Sequence, residues 1–278
     1  MTNTSTQAHH DHHGRLVLLV EDNKVNQLVA VGMLNRFGLS VDLAPNGRIG
    51  LEMSLAKPYD AIFMDCQMPE LDGYEATAEI RRREINGRRT PIIAVTTHSM
   101  PGDRERCLAA GMDDYVSKPI DPDALAAAIA RWLGVDAPVA PVGTDTSAQG
   151  LRPDADALID PSRLEELCET DPKLREKLID IFERESETLV ADIGRAIEIG
   201  DCEAVERAAH SLKGSSGSMG AVRMARICGQ LCRLARTGLL SEAAGLREEL
   251  EQTLEPTRAE LCGRAEATLS GAHHEAST

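Results

Sequence analysis

The sequence predicts an α/β domain built on a five-stranded parallel sheet, followed by an all-α bundle. Three observations predict it. The first half alternates short apolar runs with segments of helical period, the second half carries helical period and no strand signal, and a stretch without apolar period separates them. A chain of 278 residues is also long enough for about two domains.

The apolar runs are Leu16–Val20, Val41–Leu43, Ala61–Met64, Ile92–Val95 and Tyr115–Val116. Between the first two, Val25, Leu28, Val29 and Phe37 fit one helix face, and Gly38 suits its end. Asp121-Pro122 offers an N-cap and a first-turn proline for a last helix ending near Leu133. Strands alternating with helices imply a parallel sheet covered on both faces. Residues 136–156, rich in Pro, Gly, Ala, Ser, Thr and Asp, read as a flexible linker. Beyond it, Asp160-Pro161 and Asp171-Pro172 are helix starts, and Leu174, Leu178, Phe182, Leu189, Ile193 and Ile197 form one apolar stripe. Gly200-Asp201, Gly220 and Gly238 punctuate further helices, and Pro256 kinks or breaks the last. Four or five antiparallel helices make a bundle. The expected organisation is therefore a tail over 1–14, an α/β domain over 15–134, a linker over 135–156, a helical domain over 157–265 and a tail over 266–278, both tails disordered.

Composition excludes several classes. The formal net charge is −15, with −4 carried to Val135 and −11 beyond it. So acidic a chain repels phosphate backbones, and with seven aromatic residues it lacks stacking platforms, so no direct nucleic-acid binding is expected. No apolar run approaches the ~20 residues of a membrane helix, and the polar N-terminus is not a secretory signal. Seven cysteines without a CxxC pair read as reduced thiols of a cytoplasmic protein.

Polar residues follow the apolar runs in a consistent way. Glu21 and Asp22 follow the first, Asp65 the third and Thr96 the fourth, while Lys118 comes two residues after the fifth. On parallel strands all five gather at the carboxyl edge of the sheet, where open α/β folds bind ligands. Three carboxylates together repel one another and call for a cation. All-oxygen ligation with few protein ligands suits Mg²⁺, which Asp22, Asp65 and a backbone carbonyl near Gln67 can hold. Lys118 and the Thr96 hydroxyl then face the oxygens of a phosphoryl group, and Asp65 is the nucleophile that forms an acyl phosphate. Singly, each feature reads as a solvated loop or a turn; together, at the ends of four strands, they read as a site.

These residues also carry a family resemblance. VEDNKVNQ, MDCQMPELDGYEAT, PIIAVTTHS and GMDDYVSKPI closely resemble a response-regulator receiver domain, of the kind attached to hybrid sensor kinases, over residues 15–134. The resemblance implies a doubly wound, flavodoxin-like fold and Asp65 as phosphoacceptor. It implies Glu21, Asp22, Asp65 and the Gln67 carbonyl around Mg²⁺, Thr96 and Tyr115 as switch residues, and a cis bond before Pro119 that orients Lys118. Thr97 departs from the smaller Ala common in the family, and slower access to Asp65 is expected from its bulk; His98 is placed in the same neighbourhood.

Of eight histidines, six lie in the two tails, leaving His98 and His210 inside the domains. On a helix, Val205, Ala208, Ala209, Leu212 and Met219 share an apolar side, while Glu206, His210, Lys213, Gly214 and Gly217 share another. His210 is thus expected to be exposed, with Gly214 leaving room for an approaching protein and Lys213 placing a cation beside the imidazole. A lone histidine usually reads as a solvated surface group; this spacing argues otherwise. HSLKGSSGSMGA resembles the motif of a histidine phosphotransfer (HPt) domain, and IDPSRLEEL resembles the opening of that family. That resemblance implies a four-helix bundle in which His210 is phosphorylated and read by receivers, with Lys213 and Gly214 in support.

Weaker signals read blandly. The HHDHH tract reads as an adventitious Ni²⁺ or Zn²⁺ binder, Cys228 and Cys232 as a packed apolar face, and Arg81, Arg82, Arg83, Arg88 and Arg89 as a solvated face or docking surface.

The expectation is a two-component phosphorelay protein whose partners are a sensor histidine kinase and an upstream or downstream receiver. It has no glycine-rich ATP lid of its own, and the linker is long enough for transfer within the chain. The leading Met and polar leader point to a complete chain. The alternatives are a C-terminal receiver–HPt module of a hybrid kinase lineage working with a separate kinase core, an aspartyl hydrolase, and a non-phosphorylated scaffold. The hydrolase usually needs a second acid where this chain has Gln67.

Overall fold

The computed structural model describes residues 14–84, 89–97, 103–135, 157–168 and 172–275. Most of the expected linker, the N-terminal tail apart from Gly14, Arg88 and His98 lie outside the described residues.

Five parallel strands form one sheet in the order β2-β1-β3-β4-β5. They are β1 (Leu16–Val20), β2 (Ser40–Ala44), β3 (Ala61–Asp65), β4 (Ile92–Thr96) and β5 (Asp114–Ser117). Helices α1 (Lys24–Arg36), α2 (Gly47–Ala56), α3 (Gly73–Arg83), α4 (Asp103–Ala110) and α5 (Pro122–Leu133) connect and follow them. The alternation has a direct cause: β1, β3 and β4 are buried on both faces, so their side chains are nearly all apolar. One apolar cluster joins Val17, Leu19, Phe63 and Val95 to α1 and α5; another joins Leu18, Val20, Ile62 and Met64 to α2, α3 and α4.

Local chemistry sets the element ends. Asn23, Asn46, Asp72, Asp121 and Asp201 each cap a helix by accepting a backbone N–H three residues on. Gly73 opens α3 hard against the end of β3, where a Cβ would come 2.0 Å from the Asp65 carbonyl oxygen. The Lys118–Pro119 bond is cis.

The helical domain comprises α6 (Pro161–Cys168), α7 (Pro172–Ile199), α8 (Cys202–Ser218), α9 (Val222–Thr237) and α10 (Ala243–Glu275). The last four close a bundle in which each helix packs on two others of the set, and α6 lies against α1 and α7. α10 runs through Pro256 as one helix. It is helical to Glu275, within the span from 266 that the sequence reads as a tail.

The apolar core is continuous between the domains. α1 accounts for this by having two apolar faces. Val25, Val29, Met33 and Leu34 are buried, while Leu28 and Val31 are half-buried against the shared cluster. Gly32 faces α7, where a Cβ would lie 3.5 Å from Leu174. Arg36 Nη1 donates to the Glu166 carbonyl of α6 at 3.1 Å.

Candidate phosphotransfer site

Parallel strands bring their carboxyl ends to one edge. Glu21 and Asp22 lie beyond β1, Asp65 closes β3 and Lys118 follows β5. Glu21 is 2% and Asp65 3% exposed. Lys118 Nζ donates to Glu21 Oε2 and to Asp65 Oδ2, both at 2.6 Å, and the Gln67 backbone N–H donates to Asp65 Oδ1 at 3.2 Å. Glu21, Asp22 and Asp65 each offer an oxygen within 4.8 Å of the others.

The electrostatics follow from crowding like charges where water is scarce. Burial holds Glu21 well above the usual carboxylate range, Asp65 and Asp22 add to the rise, and Lys118 opposes it. Asp22 is pushed up to about 6 by burial and then by Asp65, against Lys118. Burial alone would lower the Lys118 ammonium; the Asp65 and Glu21 carboxylates outweigh it and raise it. The Lys118 ammonium pairs with Glu21 and Asp65 while Asp22 stands beside them, and the three acids offer only oxygen. That chemistry fits a hard divalent cation such as Mg²⁺.

Across this edge lies α8. A cleft of about 630 Å³ between the domains is lined by Asp65, Lys118, Thr97 and His210, among others. His210 Nε2 lies 3.3 Å from Thr97 Oγ1. Asn23 Nδ2 donates to Ser211 Oγ at 3.0 Å, and Ser218 Oγ donates to Asn26 Oδ1 at 2.8 Å. At Gly214 α8 lies close to α1: a Cβ there would stand 3.1 Å from Asn26 Nδ2. Glu185 of α7 faces the first turn of α1; burial raises its carboxyl, and Lys24 with the Lys24 and Val25 amides opposes the rise.

The structure brings Glu21, Asp22, Asp65, Gln67, Lys118, His210 and Gly214 together. Thr96 is buried at the end of β4, and Thr97 rather than Thr96 lines the cleft. Tyr115 stands apart, 40% exposed on β5, beside Ala124 and Arg131 of α5. Three expectations need correction. His210 is half-buried rather than exposed, because the receiver-like domain covers its face of α8. Lys213 turns toward α9, its Cε 3.9 Å from where a Cβ on Gly229 would stand, so its charge falls beside Cys228 and Cys232 rather than in the cleft. Arg81 is no solvated cation: with Arg89 it clamps Asp113, at 2.6 and 2.8 Å, and it also pairs with Glu84. Cys228 and Cys232 are buried, as a packed face requires. Asn26, Ser211 and Ser218 were not legible as site residues. The only signal was an amide in VEDNKVNQ and two serines on the histidine's helix.

Comparison with known proteins gives this arrangement a class. Residues 17–130 match the family model described as the response regulator receiver domain, and residues 177–273 match that of the Hpt domain. The chain is a receiver domain followed by an Hpt domain, the domain pair of two-component phosphorelay proteins. Probable histidine kinase 2 of Oryza sativa subsp. indica is 46% identical over 123 residues, 39% of this chain and 12% of that protein. Aerobic respiration control sensor protein ArcB of Escherichia coli is 32% identical over 206 residues, 73% of this chain and 26% of its own length. The chain thus spans a minor part of these curated relatives. Among solved structures, the receiver domain of a Pseudomonas aeruginosa sensor histidine kinase, with a magnesium ion in its active-site cleft, is 50% identical. It covers 44% of this chain and 98% of that one, with a TM-score of 0.41. A co-crystal of a Saccharomyces cerevisiae histidine phosphotransfer signaling protein with a receiver domain matches at 30% identity. It covers 45% of this chain and 93% of that one, again with a TM-score of 0.41. Among the described residues no helix is long and apolar enough to cross a membrane.

Proposed function

We propose that Asp65 accepts a phosphoryl group from a phosphohistidine of a sensor kinase, and that Asp65 and His210 of the same chain exchange it directly. The observation that carries this reading is the placement of His210 across the cleft from Asp65, its Nε2 against Thr97 at the end of β4.

The transfer uses groups already in place. An imidazole nitrogen of His210 attacks phosphorus, the P–N bond forms, the bond to the Asp65 oxygen breaks, and the carboxylate returns to its ion pair with Lys118. Charge spreads over the three equatorial oxygens in a loose transition state, and a buried ammonium beside Asp65 stabilises it. Glu21, Asp22, Asp65 and the Gln67 carbonyl are the groups that would hold Mg²⁺. The ion would supply a second centre of positive charge for the phosphoryl oxygens. A further receiver, upstream or downstream, would exchange phosphate with His210 when this chain's receiver has moved off it. The cytoplasmic placement expected from seven cysteines without a CxxC pair belongs to the same reading.

Acetyl phosphate with Mg²⁺, followed by mapping of the label, tests the reading. Acyl phosphate is base-labile and phosphohistidine acid-labile. Label on both residues in the parent chain, on Asp65 alone in His210→Ala and on neither in Asp65→Ala supports it. Label on His210 in Asp65→Ala contradicts it.

A further inference from the structure

One polar path runs from the Hpt helix to the phosphoacceptor. Ser218 is the last residue of α8, eight positions after His210, and is 6% exposed. Its hydroxyl donates to Asn26 Oδ1 at 2.8 Å. Asn26, 5% exposed, passes the contact on: its Nδ2 donates to Glu21 Oε1 at 3.1 Å. The second Glu21 oxygen accepts Lys118 Nζ, which also reaches Asp65.

The direction of this path is fixed. The backbone N–H of Asn23 also points at Glu21 Oε1, at 3.4 Å, and Lys118 can only donate to Oε2. Glu21 therefore accepts on both oxygens. With Glu21 ionised, the Asn26 NH₂ faces Glu21, the amide oxygen faces α8, and Ser218 is the donor. Without that donor the amide oxygen is buried with no partner, and the orientation of Asn26 loses its support.

We infer that Ser218 is a positioning residue for the receiver's acidic site: through Asn26 it fixes the Glu21 carboxylate, and it thereby couples docking of the Hpt domain to binding of a divalent cation. The inference rests on the docked arrangement proposed above. Coupling of this kind is reciprocal, so the cation also favours the docked state. Ser211 offers the contrast. Its hydroxyl accepts from Asn23 Nδ2, and Asn23 reaches Glu21 through its backbone N–H, at 3.4 Å, and not through the amide that Ser211 holds.

The test is calorimetric titration of the full chain with MgCl₂ and no phosphodonor, alongside solution scattering. Ser218→Ala is expected to weaken Mg²⁺ binding about 3- to 10-fold in a chain that stays compact, since one net hydrogen bond is at stake. Ser218→Thr, which keeps the hydroxyl, restores affinity. Asn26→Ala reproduces the loss, and the double variant Asn26→Ala/Ser218→Ala loses no more than Asn26→Ala alone. Parent-like affinity in a compact Ser218→Ala chain overturns the positioning role, and so do additive losses in the double variant. A parent chain that scatters as two separated bodies overturns the docked arrangement itself.

Discussion

His210 Nε2 of the Hpt domain lies 3.3 Å from Thr97 Oγ1 of the receiver domain. The contact has a chemical consequence for either tautomer. If Nε2 carries the proton it is no nucleophile, and if it accepts from the hydroxyl its lone pair is engaged. In both cases the contact breaks before Nε2 bonds to phosphorus.

Thr97→Ala is therefore expected to speed transfer from Asp65 to His210 by about 2- to 10-fold. A net hydrogen bond of ~0.5–1.5 kcal/mol no longer has to be broken. Rapid-quench measurement of phosphohistidine formation checks this, and Thr97→Ser should return the rate toward that of the parent.

Gly214→Ala separates folding from docking. Alanine favours a helix interior by up to ~1 kcal/mol over glycine, so the bundle should hold or gain thermal stability. The new Cβ meets Asn26 Nδ2 at 3.1 Å, so α8 should dock less closely. The expected result is an unchanged or higher melting temperature, with phosphotransfer to His210 reduced several-fold and labelling of Asp65 retained.

Lys118→Met removes the cation that pairs with the buried Glu21 and Asp65. Leaving buried charges unpaired costs on the order of 3–5 kcal/mol, less whatever the acids recover by taking up protons. Denaturant unfolding without divalent cation should show this loss, and saturating Mg²⁺ should restore part of it.

The Asp22 shift makes a pH prediction with a definite sign. Its carboxyl rises from 3.8 to about 6 in the folded chain, so between those values the folded state holds more proton than the unfolded state. Without divalent cation, its contribution to stability should fall as pH rises through that window and level off above about 6. Mg²⁺ competes with the proton, so its affinity should rise over the same window. Calorimetric titrations at several pH values check both.

The sequence exposed the sheet and the acidic edge because each rests on local pattern. An apolar run followed by Glu21-Asp22, Asp65 or Thr96 marks a buried strand and its carboxyl end. Asp121-Pro122 and Gly200-Asp201 mark helix starts through capping chemistry alone. Docking left a fainter trace. Leu28, Val31 and Gly32 give α1 a second apolar face, but a periodic pattern tells that a face is covered and not by what. His210 was placed on the correct face of α8, and its exposure was misjudged for the same reason: the cover comes from another domain. Lys213 shares that helical surface, yet its long stem reaches α9, a choice of rotamer that spacing does not encode.

The most direct test of transfer within one chain is its concentration dependence. The full chain is charged briefly on Asp65 in the cold with a small phosphodonor and Mg²⁺, and phosphohistidine formation is followed by rapid quench over a hundredfold range of protein concentration. Docking as described here predicts a first-order rate that does not change with concentration, and little label on His210 when Asp65→Ala and His210→Ala chains are mixed. A rate that climbs in proportion to concentration, with full transfer in the mixture, would contradict it.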